Sequence, residues 1–153
     1  HSNGFSLIRN IIKSSGAALT DNLDGKSLID HLIEPTRIYV KSILALRAAT
    51  PISAIAHITG GGLPGNVNRV LTNNVDAVIN TSQWQLPVIF NWLQKNGNIA
   101  TGEMYRTFNC GIGMIVVVHP DAVEQAKSSL IATGEVVSII GSIEAGDGSV
   151  IVK

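Results

Sequence analysis

Three consecutive glycines, Gly60, Gly61 and Gly62, stand in the stretch AHITGGGLPGN, between an apolar run and a segment of helical period. Glycine has no Cβ, takes positive φ freely and weakens the interior of helices and strands. A regular element therefore ends here and the chain turns sharply. A strand candidate over 52–57 runs into this turn, and a helix candidate over 66–71 leaves it. A strand end, glycines and a helix start in that order also let backbone N–H groups approach an anion. On the residues alone both readings stand: a tight strand-to-helix turn, or a phosphate cradle. No Gly-Lys-Ser/Thr follows, which excludes a P-loop, and the spacing is not that of a dinucleotide-binding fingerprint.

Around this turn the apolar period alternates between helix and strand. Phe5, Leu7, Ile8, Ile11 and Ile12 mark a helix that Gly16 stops and Ser2 or Asn3 can cap. Residues 20–25 read as a loop, 27–32 as a short helix, and 35–49 as the longest helix, with Pro35 in its first turn and Ile38, Tyr39, Ile43, Leu44 and Leu46 on its apolar face. Further on, 75–79 and 113–118 read as strands, the latter central and buried, while 87–94 and 121–132 read as helices and 103–108 as a short helix or turn. Residues 136–140 and 150–152 read as a closing hairpin through the turn 144–148. The order predicts one α+β domain spanning 1–153, with a mixed, largely antiparallel sheet and helices stacked on one face.

Hydrophobic residues make up 45% and charged residues 14% of the 153, which is enough for a packed core and excludes a disordered chain. Lys plus Arg equals Asp plus Glu, 11 each, so nothing favours non-specific nucleic-acid or membrane binding. The longest glycine-free apolar run, 114–118, is far short of the roughly 20 residues a membrane helix needs. One cysteine, Cys110, allows no internal disulfide and fits a reducing, cytoplasmic setting. The first residue is His rather than Met, as in a processed chain or a fragment, and no signal-peptide pattern follows it.

Candidate reactive groups are few. His57, three residues before the glycines at a strand end, can bond a phosphate or act as acid or base, or can be a partly buried histidine bonded to backbone. His31 reads as a solvated helix-end residue and His119 as a loop residue. Cys110 has no nearby cation and reads as a small buried residue. Gly111 and Gly113 mark close backbone approach at a strand start. Arg37 and Lys41, one turn apart, read as one cationic helix face. Trp84 and Trp92 read as packing residues, and the histidines and the cysteine lack zinc-site spacing.

Taken together, HSNGFSLIR (1–9), PTRIYVKS (35–42), AHITGGG (56–62), WQLPVIFNWLQKNGNI (84–99) and EMYRTFNCGIGM (103–114) resemble the C-terminal half of aminoimidazole ribonucleotide synthetase, also called phosphoribosylformylglycinamidine cyclo-ligase. The resemblance covers essentially the whole chain. The wider superfamily includes selenophosphate synthetase, thiamine-monophosphate kinase, a hydrogenase maturation protein and the large amidotransferase of purine biosynthesis. The string Thr-Phe-Asn-Cys-Gly-Ile-Gly-Met points to the cyclo-ligase. After the glycines the family commonly has an acidic residue before the Asn and a Pro before the Arg. Here Gly65 precedes Asn66 and Asn68 precedes Arg69, so no loop carboxylate is carried over.

The resemblance implies an ATP-dependent ring closure in purine biosynthesis, with ATP and Mg2+ held mainly by an N-terminal domain that this chain lacks. It implies that domain as partner, a homodimer made through it, a small ribonucleotide substrate, and an isolated fragment without activity. His1, Ser2, Asn3 and Gly4 match the family's interdomain segment; His57, Thr59, Gly60, Gly61 and Gly62 match its glycine loop; Asn109, Gly111 and Gly113 match its strand-start motif. His57 and His1 are thereby catalytic candidates. Ser2, Asn3, Gly4, Thr59, the three glycines, Asn109 and Gly111 are candidates for binding substrate or phosphate. The phosphate is the substrate's ribose 5-phosphate or those of ATP. The alternatives are a non-catalytic module binding a phosphorylated metabolite, and another ATP-dependent synthetase of the same superfamily.

Overall fold

A computed structural model describes every residue except Ser2, so that residue's expected roles as cap and ligand lie outside the described residues. In chain order the elements are α1 (Phe5–Ser15), β1 (Asn22–Leu23), β2 (Lys26–Ser27), α2 (Leu28–Leu32), α3 (Val40–Ala49), β3 (Ala54–His57), α4 (Gly62–Asn68) and β4 (Val75–Ile79). Then follow α5 (Val88–Gly97), α6 (Thr101–Thr107), β5 (Met114–Val117), α7 (Val123–Ala132), β6 (Gly141–Ala145) and β7 (Val150–Val152). The class is α+β, and the pairings are mostly antiparallel, distributed over three small sheets: β1–β2, β3–β5 and β6–β4–β7. Among the described residues no helix is long and apolar enough to cross a membrane.

Two compact units form. The first comprises His1–Thr36, Ile58–Asn66 and Gln85–Gly113. Its core joins Ile8 and Ile11 of α1, Leu28, Ile89 and Leu93 of α5, and Met104, Phe108 and Cys110. The spacing of Ile8 and Ile11, and of Ile89 and Leu93, places each pair on one helical face, so burial of that stripe sets both helices against the core. α1 ends where Gly16 takes φ 71, as the sequence predicts, but its N-cap is Gly4 at φ 75 with no side-chain cap. Asn3 is not the cap; its side-chain amide donates to the Thr107 carbonyl. Ser27 caps α2 by accepting from the Asp30 N–H. The loop expected over 20–25 contains a hairpin instead, turning at Asp24 and Gly25 with φ 53 and 82. Asp-Gly is the sequence signal for that turn.

The second unit comprises Arg37–His57, Val67–Trp84 and Met114–Lys153. Leu46 of α3 packs with Ala126 and Leu130 of α7, joined by Ile52, Val116, Val118 and Val137. α3 starts at Val40, five residues later than the sequence predicts, and buries Ser42 and Leu46 while Ile38 and Leu44 stay exposed. Arg37 lies before the helix, bonded through its side chain to Glu135 and to the Gly134 carbonyl. β5 pairs with β3 alone, from His57↔Met114 to Ala54↔Val117, and is half-buried rather than a central buried strand.

The expected closing hairpin does not form, because β4 lies between the two strands, antiparallel to β6 and parallel to β7. The strand begins at Gly141, where a Cβ would sit 1.9 Å from the Val78 carbonyl oxygen, so only glycine allows that approach. Asp76 of β4 organises the connection: its carboxylate accepts the N–H of Ser149 at 2.8 Å and of Asp147 at 2.9 Å.

Those N–H donors, Ser149 first and Asp147 second, hold the Asp76 carboxyl below its ordinary value. A depressed carboxyl contributes stability that is present above the unfolded-state value and is lost as pH falls through the folded one. Asp76→Asn should lower Tm at neutral pH and flatten the loss of stability on acidification below about pH 4. Melting curves from pH 2 to 7 check this; parallel curves for variant and parent would remove Asp76 from the account of the β6–β7 connection.

Candidate functional site

Three stretches far apart in sequence meet in the first unit: the N-terminal residues, the glycine loop, and the turn after α6. The Ile58 N–H donates to the Gly113 carbonyl at 2.9 Å. His1 Nδ1 lies 2.8 Å from the Ile58 carbonyl oxygen. A carbonyl only accepts, so Nδ1 carries the proton and Nε2 is the basic nitrogen of the neutral ring. Asn3 donates to the Thr107 carbonyl. A Cβ on Gly4 would lie 2.5 Å from the Phe108 ring, so Gly4 is required by contact as well as by its positive φ.

The glycine loop divides into positions the fold needs and one it does not. Gly61 and Gly62 take φ 97 and 60, where a side chain is strained. A Cβ on Gly62 would sit 1.9 Å from the Tyr105 carbonyl oxygen. α4 begins at Gly62, not at Asn66, and Gly62 enters it from a left-handed φ. Asn66, buried, closes the loop from inside: its amide nitrogen lies 2.8 Å from the Gly62 carbonyl oxygen and 3.3 Å from those of Thr59 and Gly60. Gly62 and Gly65 donate back to the Thr59 and Gly61 carbonyls. Gly60 is different. It is exposed, its φ is not in the left-handed region, and a Cβ there would meet nothing within 4 Å.

The third stretch is a turn in which the Ile112 N–H donates to the Asn109 carbonyl at 3.0 Å. Its central residues, Cys110 and Gly111, have φ 49 and 93, the signs and sizes of a type I′ turn. Cysteine at such a φ is strained by about 1–3 kcal/mol, a cost usually met where local geometry serves a purpose. The purpose is not the thiol. Cys110 is fully buried, its Sγ donates to the Met104 carbonyl at 3.5 Å, and desolvation pushes its pKa up to about 12. What the turn presents outward is exposed Gly111 and the half-buried Asn109.

The other candidates fall elsewhere. His57 ends β3 in the second unit, exposed, with its ring edge-on to Tyr39 at 5.9 Å between centroids. Arg37 and Lys41 do not form one helical face, since Arg37 precedes α3 and is bonded to Glu135, Nε to Oε2 2.7 Å. His31 is half-buried, Nε2 2.8 Å from the Leu23 carbonyl oxygen, rather than solvated. His119 pairs with Asp121 at 3.3 Å on the surface. Among the described residues no three His, Cys, Asp or Glu side chains gather to hold a metal ion. Asn66, Tyr105 and Thr107 were not legible as parts of this surface. Asn66 stands in the quoted glycine stretch and its position at a helix start was a usable signal; Tyr105 and Thr107 act through backbone carbonyls, which leave none.

This division of labour has two measurable consequences. Gly62→Ala should cost about 1–3 kcal/mol in urea denaturation through the carbonyl clash and the positive φ, while Gly60→Ala should leave the midpoint unchanged; equal losses would show that the fold needs both. With its pKa near 12, about one Cys110 thiol in ten thousand is ionised at pH 8. A thiol-reactive disulfide reagent should therefore label Cys110 only on unfolding, and labelling in native buffer at the rate of a free thiol would contradict the burial.

The family model of the AIR synthase related protein, C-terminal domain, matches residues 1–153. The match runs through all three converging stretches and leaves none of the chain outside it, so the chain belongs to the AIR synthase related family, as its C-terminal domain.

Proposed function

We propose that this chain is the C-terminal half of an ATP-dependent cyclo-ligase of purine biosynthesis, converting formylglycinamidine ribonucleotide and ATP to aminoimidazole ribonucleotide, ADP and phosphate. The observation that carries the reading is the convergence of the HSNG segment, the glycine loop and the Asn109–Gly111 turn, tied by hydrogen bonds from the His1 and Asn3 side chains and the Ile58 N–H to the backbone carbonyls of Ile58, Thr107 and Gly113. In such a reaction ATP activates the formyl oxygen, an amidine nitrogen closes on the formyl carbon, and the oxygen leaves with phosphate. Catalysis of this kind is mostly positioning and charge stabilisation, and backbone N–H groups supply both without a charged side chain.

Within the reading, exposed Gly60 and Gly111 give a phosphate access to the backbone, and His1 presents Nε2 as hydrogen-bonding group or base. His57 is the second candidate acid or base. A magnesium ion normally takes one or two carboxylates in addition to phosphate oxygens. The glycine loop and the Asn109–Gly111 turn offer amides and carbonyls instead, so this chain's residues do not fit Mg2+ on their own. The reading therefore gives Mg2+ and most ATP contacts to an N-terminal domain, which is also the homodimer contact, in a cytoplasmic enzyme.

The test is ATP-dependent ring closure by the full reading frame containing residues 1–153, with this chain assayed in parallel. Activity in the full protein and background turnover in the chain alone is expected, with Gly60→Ala raising KM about tenfold at unchanged stability. Normal turnover by the chain alone would overturn the split site. ATP consumed only with a different acceptor would overturn the substrate and leave another synthetase of the family, and binding of a phosphorylated metabolite without turnover would leave a binding module.

A further inference from the structure

The second unit holds a cluster of contacts that the glycine loop and its neighbours do not use. Both oxygens of the Glu135 carboxylate are bonded: Oε2 lies 2.7 Å from Arg37 Nε, and Oε1 accepts from Ser42 Oγ at 2.5 Å. Arg37 also donates through Nη2 to the adjacent Gly134 carbonyl at 2.7 Å. The Glu135 side chain is only 12% exposed and Ser42 4%, so the bond between them is shielded from competing water, while Arg37, 53% exposed, holds the carboxylate from the solvent side. Arg37 and Ser42 lie five residues apart on either side of Tyr39. One carboxylate thus pins the entry to α3 at two points and fixes the backbone of the residue between them, which sits at φ −90, ψ −2 as the N-cap of α3. Tyr39 in turn meets His57 ring to ring, 5.9 Å apart at 71°. The phenol of Tyr39 is held above its ordinary value, first by burial and then by the Glu135 charge, with Arg37 opposing, which agrees with this proximity.

We propose that Glu135, anchored by Arg37 and Ser42, is a positioning residue that sets Tyr39 edge-on to His57 and so fixes the orientation of the imidazole at the end of β3. An aromatic ring packed against an imidazole restricts the staggered rotamers that the imidazole can occupy. Fixing one orientation in advance removes that ordering cost from the step in which the ring contacts a ligand. The catalytic value of this arrangement rests on the reading above in which His57 acts on bound ligand; the geometric claim does not.

The experiment is proton–carbon NMR of the histidine rings in the 153-residue chain, with His57 assigned through His57→Gln. The His57 ring protons should be displaced by the Tyr39 ring current, and Tyr39→Leu should abolish the displacement. Glu135→Gln should remove most of it, Ser42→Ala part of it, and Arg37→Lys, which keeps a cation, little. Unchanged His57 signals in Glu135→Gln, with the amide spectrum otherwise native, would overturn the proposal. Should Glu135→Gln fail to fold, unchanged signals in Ser42→Ala would overturn it equally. In the full-length enzyme Glu135→Gln should lower kcat about tenfold to a hundredfold with KM for ATP nearly constant. If the parent lacks ring-closure activity the functional reading fails, while the NMR result still decides the positioning claim.

Discussion

Gly62 lies so close to the Tyr105 carbonyl that a β-carbon would stand 1.9 Å from its oxygen. That approach of one backbone to another fixes the glycine loop against the end of α6, and the rest of the surface is built outward from it. With the loop seated there, Asn66 can fill the space beneath it and bond the carbonyls of Thr59, Gly60 and Gly62. The Ile58 carbonyl takes His1, the Ile58 N–H reaches Gly113, and the chain after α6 is placed to receive Asn3 at Thr107. Side chains of modest chemistry thereby hold a surface whose outward groups are largely backbone.

A run of three glycines reads in sequence as one feature, yet the positions answer to different physics. Gly62 is required by contact and by φ, Gly61 by φ, and Gly60 by neither. The same contrast holds across the turn after α6, where Gly111 is exposed at positive φ and its neighbour Cys110 bears the same backbone strain with a buried thiol. A strained cysteine of raised pKa is a poor nucleophile. The turn is accordingly a backbone device, and the conspicuous sulfur within TFNCGIG is packing.

Local signals explain what could be read from the sequence. Gly16 stopping α1, the alternation in β4 and the apolar stripe of α5 each act within a turn or two of the residue concerned. The failures are non-local. The helix expected from Pro35 begins at Val40, and the segment before it is tied through Arg37 to Glu135, almost a hundred residues away in sequence. β6 could not be found by hydrophobic pattern because all five of its residues are exposed, and its partner is β4 rather than β7. In the candidate site the glycines, His1 and Asn109 carried visible signals. The partners that define it, the carbonyls of Ile58, Tyr105 and Thr107, are common to every residue type and carry none.

Backbone amides as the outward groups have a consequence for how such a surface works. An amide dipole is fixed by the fold, does not titrate and needs no reorganisation as charge develops on a ligand. It also contributes only partial charge, so it suits part of a phosphate's neutralisation and leaves the remainder to cations supplied from elsewhere. Under the cyclo-ligase reading proposed above, a domain with balanced charge, 11 acidic against 11 basic residues, suits the half of a site that orients a ligand, with the charge-compensating groups supplied by the other half. The three converging motifs then have a common physical reason to be rich in glycine and asparagine. On that reading each brings its main chain close to a ligand and holds it in place with a side chain short enough not to cover it.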